Sequence, residues 1–473
     1  MRRHILSIDA GTTGITVSLV DRRGHVVREA SRDFPQIYPK PGWVEHDPEV
    51  IWRRTASLIR EVGMDDVAAI GITNQRETTV LWDRRTGRPV HNAIVWQCRR
   101  TAPMCERLRD SEPLVRRKTG LVLDPYFSAT KIRWLLDHVG RRSNLAFGTI
   151  DTWLLWKLTG AHATDVTNAS RTLLCDIDRR AWDDDLLRLF EVPRNLLPEV
   201  RPSASVFGRM RNGVPVSGIA GDQQAALYGQ GCWTPGTMKN TYGTGCFLVV
   251  NTGAKRINSK HGLLTTLACD ERGGPAYALE GSVFIAGAAI QWLRESLQII
   301  KRSGDIEPLA TSIPSNHGVY FVPAFVGLGA PYWDAQARGA IVGLTRGAGR
   351  AEIARAALEA IAYQTRDVVE AMEADMGRGV SELKVDGGAV VNAFLMQFQA
   401  DLLGARIVRP RNIESTSLGA ALLAGVGAGL WQTPPISPPW KIFRPRMSAS
   451  HRAALLAGWR DAVARVTGRR GKA

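Results

Sequence analysis

Apolar and polar positions alternate in short blocks along this chain. Residues 4–9 (HILSID) and 17–20 (VSLV) read as strands around a turn that holds Gly11, Thr12, Thr13 and Gly14, a hairpin with Asp9 at its mouth. Residues 67–73 (VAAIGIT) are nearly all apolar, as expected of a strand buried on both faces. Helices are expected around 131–138 and from about Asp151, with Trp153, Leu154 and Trp156. A second hairpin is predicted over 238–250 (MKNTYGTGCFLVV), again around a Gly and Thr turn. The two turns, DAGTTG and TYGTGC, are a weak internal echo that fits either a duplication or chance. Residues 214–227 read as strand, Gly turn, Asp222 and helix, and residues 382–404 as strand, DGGA turn and amphipathic helix. This alternation predicts an α/β architecture. The clearest helical period runs over 351–376 through Ile353, Ala357, Leu358, Ile361, Val368 and Met372, which makes it scaffold rather than chemistry. The stretch 418–431 falls short of the roughly 20 apolar residues of a membrane span, so a buried helix is expected there.

With 473 residues the chain exceeds the roughly 250–300 at which single cores stop growing, so two domains are expected. The boundary is placed at the Pro235 and Gly236 turn, giving domains 1–235 and 236–473. Only Ile5 to Ile8 form an apolar stretch near the start, too short for a secretory signal, and a cytoplasmic protein without stable membrane insertion is expected. The six cysteines show no two-residue pair spacing and are expected to be reduced thiols. The net charge of +16 comes from scattered arginines, with one dense run at Arg469, Arg470 and Lys472. A solvated basic surface is therefore expected rather than a nucleic-acid site.

Several turns share a design in which Gly-rich backbone presents amides beside Thr hydroxyls, a natural cradle for phosphate. Asp9 lies within a few residues of the first such turn, where a carboxylate would repel phosphate unless Mg²⁺ lay between them, so it is a candidate metal ligand. Asp222, at a strand end opening a helix, is a candidate base for a hydroxyl proton. The plainer alternatives are an ordinary Gly and Thr turn and a simple helix cap. Neither GxxxxGK[ST], a GxGxxG after a strand nor an HRD loop occurs, which excludes P-loop and protein-kinase folds. Arg76 and Glu77 follow the apolar strand at 67–73, where α/β sheets bind ligands, and a donor beside an acceptor suits vicinal hydroxyls. A surface ion pair is the alternative. Trp96, Tyr126 and Phe247 are candidate walls for a small polyol, or core aromatics with one satisfied polar tip.

The stretches QIYPKPGWVEHDPE (36–49), IGITNQRETT (70–79), NAIVWQCRRT (92–101), SGIAGDQQAALYGQ (217–230), KNTYGTGCF (239–247), GLGAPYWD (327–334) and KVDGGAVVNAFLMQFQAD (384–401) resemble the glycerol kinases of the FGGY carbohydrate kinase family, as do YFSATKIRWLLDH (126–138) and 339–359. The resemblance runs from about residue 4 to 460. It implies two actin-like, ribonuclease H-like domains with a catalytic cleft between them, the first on the glycerol side and the second on the nucleotide side. It implies ATP and Mg²⁺, a homo-oligomer (dimer or tetramer), and glycerol held by Arg76, Glu77, Tyr126, Asp222 and Gln223 between Trp96 and Phe247. By the same resemblance Thr12, Thr13 and Thr244 would contact phosphates, Gly287, Gln291, Gly388 and Asn392 the nucleotide more broadly, Asp9 and Asp222 would lie near Mg²⁺, and Asp222 would be the general base. One departure stands out: GTTGIT replaces the family's GTTSSR, so Thr16 stands where a phosphate-facing Arg is usual.

Overall fold

The first predicted hairpin forms from β1 (His4–Ala10) and β2 (Gly14–Val20), which pair antiparallel with Asp9 directly opposite Thr16. The computed structural model describes residues 4–140, 143–436 and 438–467, so the basic run at Arg469, Arg470 and Lys472 lies outside the described residues. With β3 (Val26–Asp33), β4 (Val67–Asn74), β5 (Ala204–Arg209) and β6 (Pro215–Gly221), the hairpin builds a six-stranded sheet in the order β5-β6-β4-β1-β2-β3. Strands β1, β4 and β6 are parallel and end together at Ala10, Asn74 and Gly221. The apolar run of 67–73 is β4, buried along almost its whole length as its sequence predicts. Helices α1 (Ser128–Val139), α2 (Ile150–Thr159) and α3 (Asp222–Gly229) stand where the sequence places helical segments.

The second hairpin is β7 (Met238–Tyr242) and β8 (Cys246–Gly253). It joins β9 (Leu264–Cys269), β10 (Pro275–Val283), β11 (Glu382–Asp386), β12 (Arg406–Pro410) and β13 (Pro439–Phe443) in a seven-stranded sheet, order β9-β10-β8-β7-β11-β12-β13. The echo between the two turns is structural. In both sheets the hairpin pairs antiparallel with a third strand on one side and parallel with two successive strands on the other, β3-β2-β1-β4-β6 matching β10-β8-β7-β11-β12. Helices α5 (Arg350–Met376) and α6 (Ala393–Leu403) pack on the second sheet and α4 (Gly287–Glu295) packs on α5, and the 27-residue α5 buries the face its period marks.

The stretch 418–431 is α7 (Ser415–Gly427), which begins earlier than the apolar run and stops before its end, where Leu430 folds back and its N–H bonds the Gly425 carbonyl. Although α7 follows β12 of the second sheet, it packs on β1, β4 and β6 of the first and crosses α3. Helix α3 in turn follows β6 of the first sheet and touches β7, β8 and β9 of the second. The crossing is a backbone-to-backbone approach: a Cβ on Gly419 would come within 1.8 Å of the Ala225 carbonyl oxygen. All six cysteines are buried free thiols. Among the described residues no helix is long and apolar enough to cross a membrane.

Candidate active site

Residues just beyond β4 and at the start of α3 meet side chains of β7, β8 and β10, and the acceptor-side residues singled out in the sequence gather there. Arg76 and Glu77, just beyond β4, are not a surface pair: each is about 2% exposed or less. Arg76 lies with Nε 3.1 Å from Asp222 Oδ1, while its Nη1 and Nη2 donate to the two carboxylate oxygens of Glu280 at 2.5 and 3.1 Å. Glu77 takes a positive φ of 62°, a conformation that costs a non-glycine residue roughly 1–3 kcal/mol and gathers at functional sites. Its carboxylate accepts from Arg171 Nε at 2.7 Å, and Arg171 Nη2 donates to Glu280 at 3.0 Å. Two arginines and two glutamates are thus buried as a closed network, the condition under which interior charges are tolerated. Burial alone would raise Glu280, but the guanidinium groups of Arg171 and Arg76 hold its carboxyl down at about 2.

Asp222 is the first residue of α3 and is not its cap, since Gly221 holds that position. Its side chain remains 28% exposed, so the carboxylate reaches the open side of the network. Gln223 beside it is buried, and its Oε1 accepts from Lys239 Nζ at 2.5 Å. The aromatic candidates converge, with the Trp96 ring 5.5 Å from Tyr126 and 6.5 Å from Phe247, both edge-on. Phe247 comes from β8 and the other two from the first half of the chain, so the wall is assembled from both sides of the cleft. Tyr126 is presented by a loop whose carbonyls at Pro125, Tyr126 and Phe127 all accept from the buried Lys131 Nζ, at 2.5, 2.6 and 3.0 Å.

The Gly11 to Thr13 turn has its carbonyls already occupied: Gln75 Nε2 donates to Gly11, Gln36 Nε2 to Thr12 and the Phe34 N–H to Thr13. Gly-rich turns of this kind can present backbone amides to an anion. Thr12 Oγ1 accepts from Trp96 Nε1 at 3.0 Å, and Thr13 is exposed. In the second half Thr244 tips the β7–β8 turn, where its carbonyl accepts from the Ala286 and Ala288 N–H groups and Gly287 N–H bonds the Gly243 carbonyl. The start of α4 is therefore tied to Thr244. The Gly387–Gly388 turn packs on the same strand end, with a Cβ on Gly387 placed 2.6 Å from the Tyr242 carbonyl oxygen. Asn392 caps α6, accepting from the Leu395 N–H at 2.8 Å. Gln291 is exposed on α4 with its amide held by Glu295.

Asp9, at the end of β1, is raised to about 8, first by burial and then by the carboxylates of Asp222, Glu414 and Glu29. Thr16, half-buried, faces it across the ladder. Sequence reasoning missed Arg171, Glu280, Lys239 and Lys131. The available signal was a lone charge in an apolar strand, as with Lys239 in MKNTY and Glu280 in PAYALEGSV, because such a charge must find partners.

Residues 4–229 match the N-terminal domain of the FGGY family of carbohydrate kinases and residues 238–428 its C-terminal domain. The chain is 53% identical to glycerol kinase 2 of Thermotoga maritima over 98% of this chain and 99% of that protein. It is 54% identical to the glycerol kinase of Carboxydothermus hydrogenoformans over 98% of each. The crystal structure of Plasmodium falciparum glycerol kinase with ADP superimposes with a TM-score of 0.91 at 36% identity, covering 98% of both chains. A ligand-bound xylulose kinase from Lactobacillus acidophilus, 23% identical, shares the fold with a TM-score of 0.88 over 99% of this chain and 100% of its own. The paired sheets, the turns at the strand ends and these matches along the chain lead to one conclusion: the chain belongs to the FGGY family of carbohydrate kinases.

Proposed function

We propose that this chain transfers the γ-phosphoryl group of ATP to glycerol, giving sn-glycerol 3-phosphate and ADP, as a step of glycerol catabolism. The observation that carries the reading is the gathering of Arg76, Glu77, Asp222 and Gln223 behind one aromatic wall of Trp96, Tyr126 and Phe247, in a chain more than half identical to glycerol kinases. Arg76 has five N–H donors. Glu280 and Gln224 accept from three of them and Asp222 forms an ion pair at Nε, and among the described residues one N–H on Nη2 is left, which suits a hydroxyl of the acceptor. Glu77 offers the complementary acceptor, and the aromatic rings cover the carbon skeleton. Asp222 receives the proton of the attacking hydroxyl as its oxygen bonds the γ-phosphorus and the β–γ bridging bond breaks. Arg76 Nε, 3.1 Å away, fixes that carboxylate in place.

Thr12, Thr13 and Thr244, with the amides of their turns, receive phosphate oxygens. Gly287, Gln291, Gly388 and Asn392 line the nucleotide side. Asp9 and Asp222 suit Mg²⁺. Their mutual repulsion lifts Asp9 further than burial alone, and among the described residues no cluster of three or more His, Cys, Asp or Glu forms an all-protein cage. A cation that keeps waters and phosphate oxygens as most of its ligands matches that donor set. When bound, Mg²⁺ supplies neutralisation of phosphate charge.

The division into an acceptor-side domain, 1–235, and a nucleotide-side domain, 236–473, is supported by the two sheets, with α7 reaching back onto the first. The cytoplasmic location rests on the short apolar stretch at Ile5 to Ile8, and assembly into a dimer or tetramer on the family resemblance. The test is product identity. With ATP, Mg²⁺ and glycerol, phosphorus NMR should show a phosphomonoester and ADP appearing one for one. Inorganic phosphate released at the same rate with and without glycerol would contradict the reading.

A further inference from the structure

Lys239 is the second residue of β7, fully buried, and makes three contacts with its three N–H donors. They go to Gln223 Oε1 at 2.5 Å, Thr241 Oγ1 at 2.7 Å and the Phe247 carbonyl at 3.1 Å. An ammonium donates and cannot accept, so the oxygen end of the Gln223 amide is the end turned to Lys239. Nε2, carrying both amide hydrogens, is then the end left for the acceptor. The same ammonium grips the Phe247 carbonyl, on the residue whose ring faces Trp96. One side chain of the second sheet therefore fixes a polar and an apolar element of the acceptor pocket. Because its donors are all engaged within the protein, Lys239 has none to offer the acceptor.

We propose that Lys239 is a positioning residue for acceptor binding, which locks Gln223 in the rotamer that presents N–H donors to a hydroxyl oxygen and ties that amide to the wall at Phe247. This rests on the reading of Gln223 as an acceptor contact. Without the ammonium the amide can turn over, and half of its orientations would set a carbonyl against the hydroxyl oxygen. An acceptor whose oxygen requires a donor would bind more weakly, while the proton transfer at Asp222 would be left in place.

The experiment is a double-mutant cycle with steady-state kinetics on the full chain. Lys239→Met should raise KM for glycerol by about 2- to 10-fold, from the halving of the competent amide population up to the loss of one neutral hydrogen bond. It should lower kcat by less than about 3-fold, where a general loss of folding would lower the active fraction and leave KM unchanged. Lys239→Gln, which retains N–H donors, should recover most of the KM. Gln223→Ala should raise KM by a similar factor, and in that background Lys239→Met should add little. A KM unchanged by Lys239→Met in folded protein, or effects of the two changes that multiply, would overturn the positioning role. A KM unchanged by Gln223→Ala would overturn the assignment of Gln223 and this inference with it. If Lys239→Met fails to fold, Lys239→Gln carries the test alone: a KM in the Gln223→Ala background that still responds to it would refute the proposal.

Discussion

Asp222 and Asn differ by one proton-accepting oxygen and almost nothing in size, so Asp222→Asn isolates the chemistry assigned to this carboxylate. The variant should fold normally and lose roughly 10²–10⁴-fold in kcat, the usual worth of a general base. Near-normal turnover in a folded variant would remove that role. Thr16 is the other residue whose meaning is local. It stands across the β1–β2 ladder from Asp9, so an arginine introduced there would meet Asp9 as well as phosphate, and part of its charge would be neutralised. Thr16→Arg should then shift ATP affinity by no more than about 1.5 kcal/mol, the low end for a hydrogen bond to a charged group. Glycerol-dependent ADP release absent in the natural chain and restored by Thr16→Arg would mean a disabled kinase. At this scale the sequence was partly legible. Asp9 and Asp222 follow from turn chemistry, whereas joining Trp96, Tyr126 and Phe247 to them needed the family resemblance. Arg171 stayed hidden because pairing across 109 residues leaves no local pattern, while Glu280 showed only as a lone charge in an apolar strand that did not name its partner.

The strands and helices were largely legible as elements, for physical reasons that differ between them. The buried strand β4 and the helix α5 carry periods that a single window can read. Neither the order of the strands nor the partner of α7 can be read that way. An apolar helix face requires a partner without naming one, and α7 finds the sheet of the opposite half. What permits the crossing is small residues. Gly419→Ala should force apart backbones that would otherwise place its Cβ 1.8 Å from the Ala225 oxygen. The expected cost is about 1–3 kcal/mol, as for overpacked cores, read as a lower denaturant midpoint with unchanged slope. A midpoint equal to that of the unmodified chain would show that α3 and α7 part without cost.

For the molecule as a whole, the two halves meet at the proposed acceptor pocket through residues of both, with Glu280 and Lys239 from the second sheet holding Arg76 and Gln223 of the first half. Two buried ammonium groups hold the pocket's rim, and burial brings both Lys131 and Lys239 down to about 8. For Lys131 the surrounding Glu77, Cys98, Asp124 and Cys105 oppose that shift. For Lys239, Asp386, Asp222 and Glu280 oppose it while Arg76 adds to it. Each lysine is charged below that pH and neutral above, where it loses a donor toward its carbonyl partners. KM for glycerol should therefore rise between about pH 7 and 9. A KM flat over that interval would show that the ammonium groups keep their protons in the folded protein.

Under the proposed function the same pocket decides which acceptor is phosphorylated. Its close aromatic walls and small set of polar groups suit a short polyol, and a longer sugar would bring hydroxyls for which no partner has been identified there. The most direct measurement is coupled ADP release with glycerol, erythritol, xylulose, gluconate and water as acceptors. The kcat/KM for glycerol should lie far above all the others, with release in water alone close to background. A higher kcat/KM for any five- or six-carbon acceptor would contradict the proposed function.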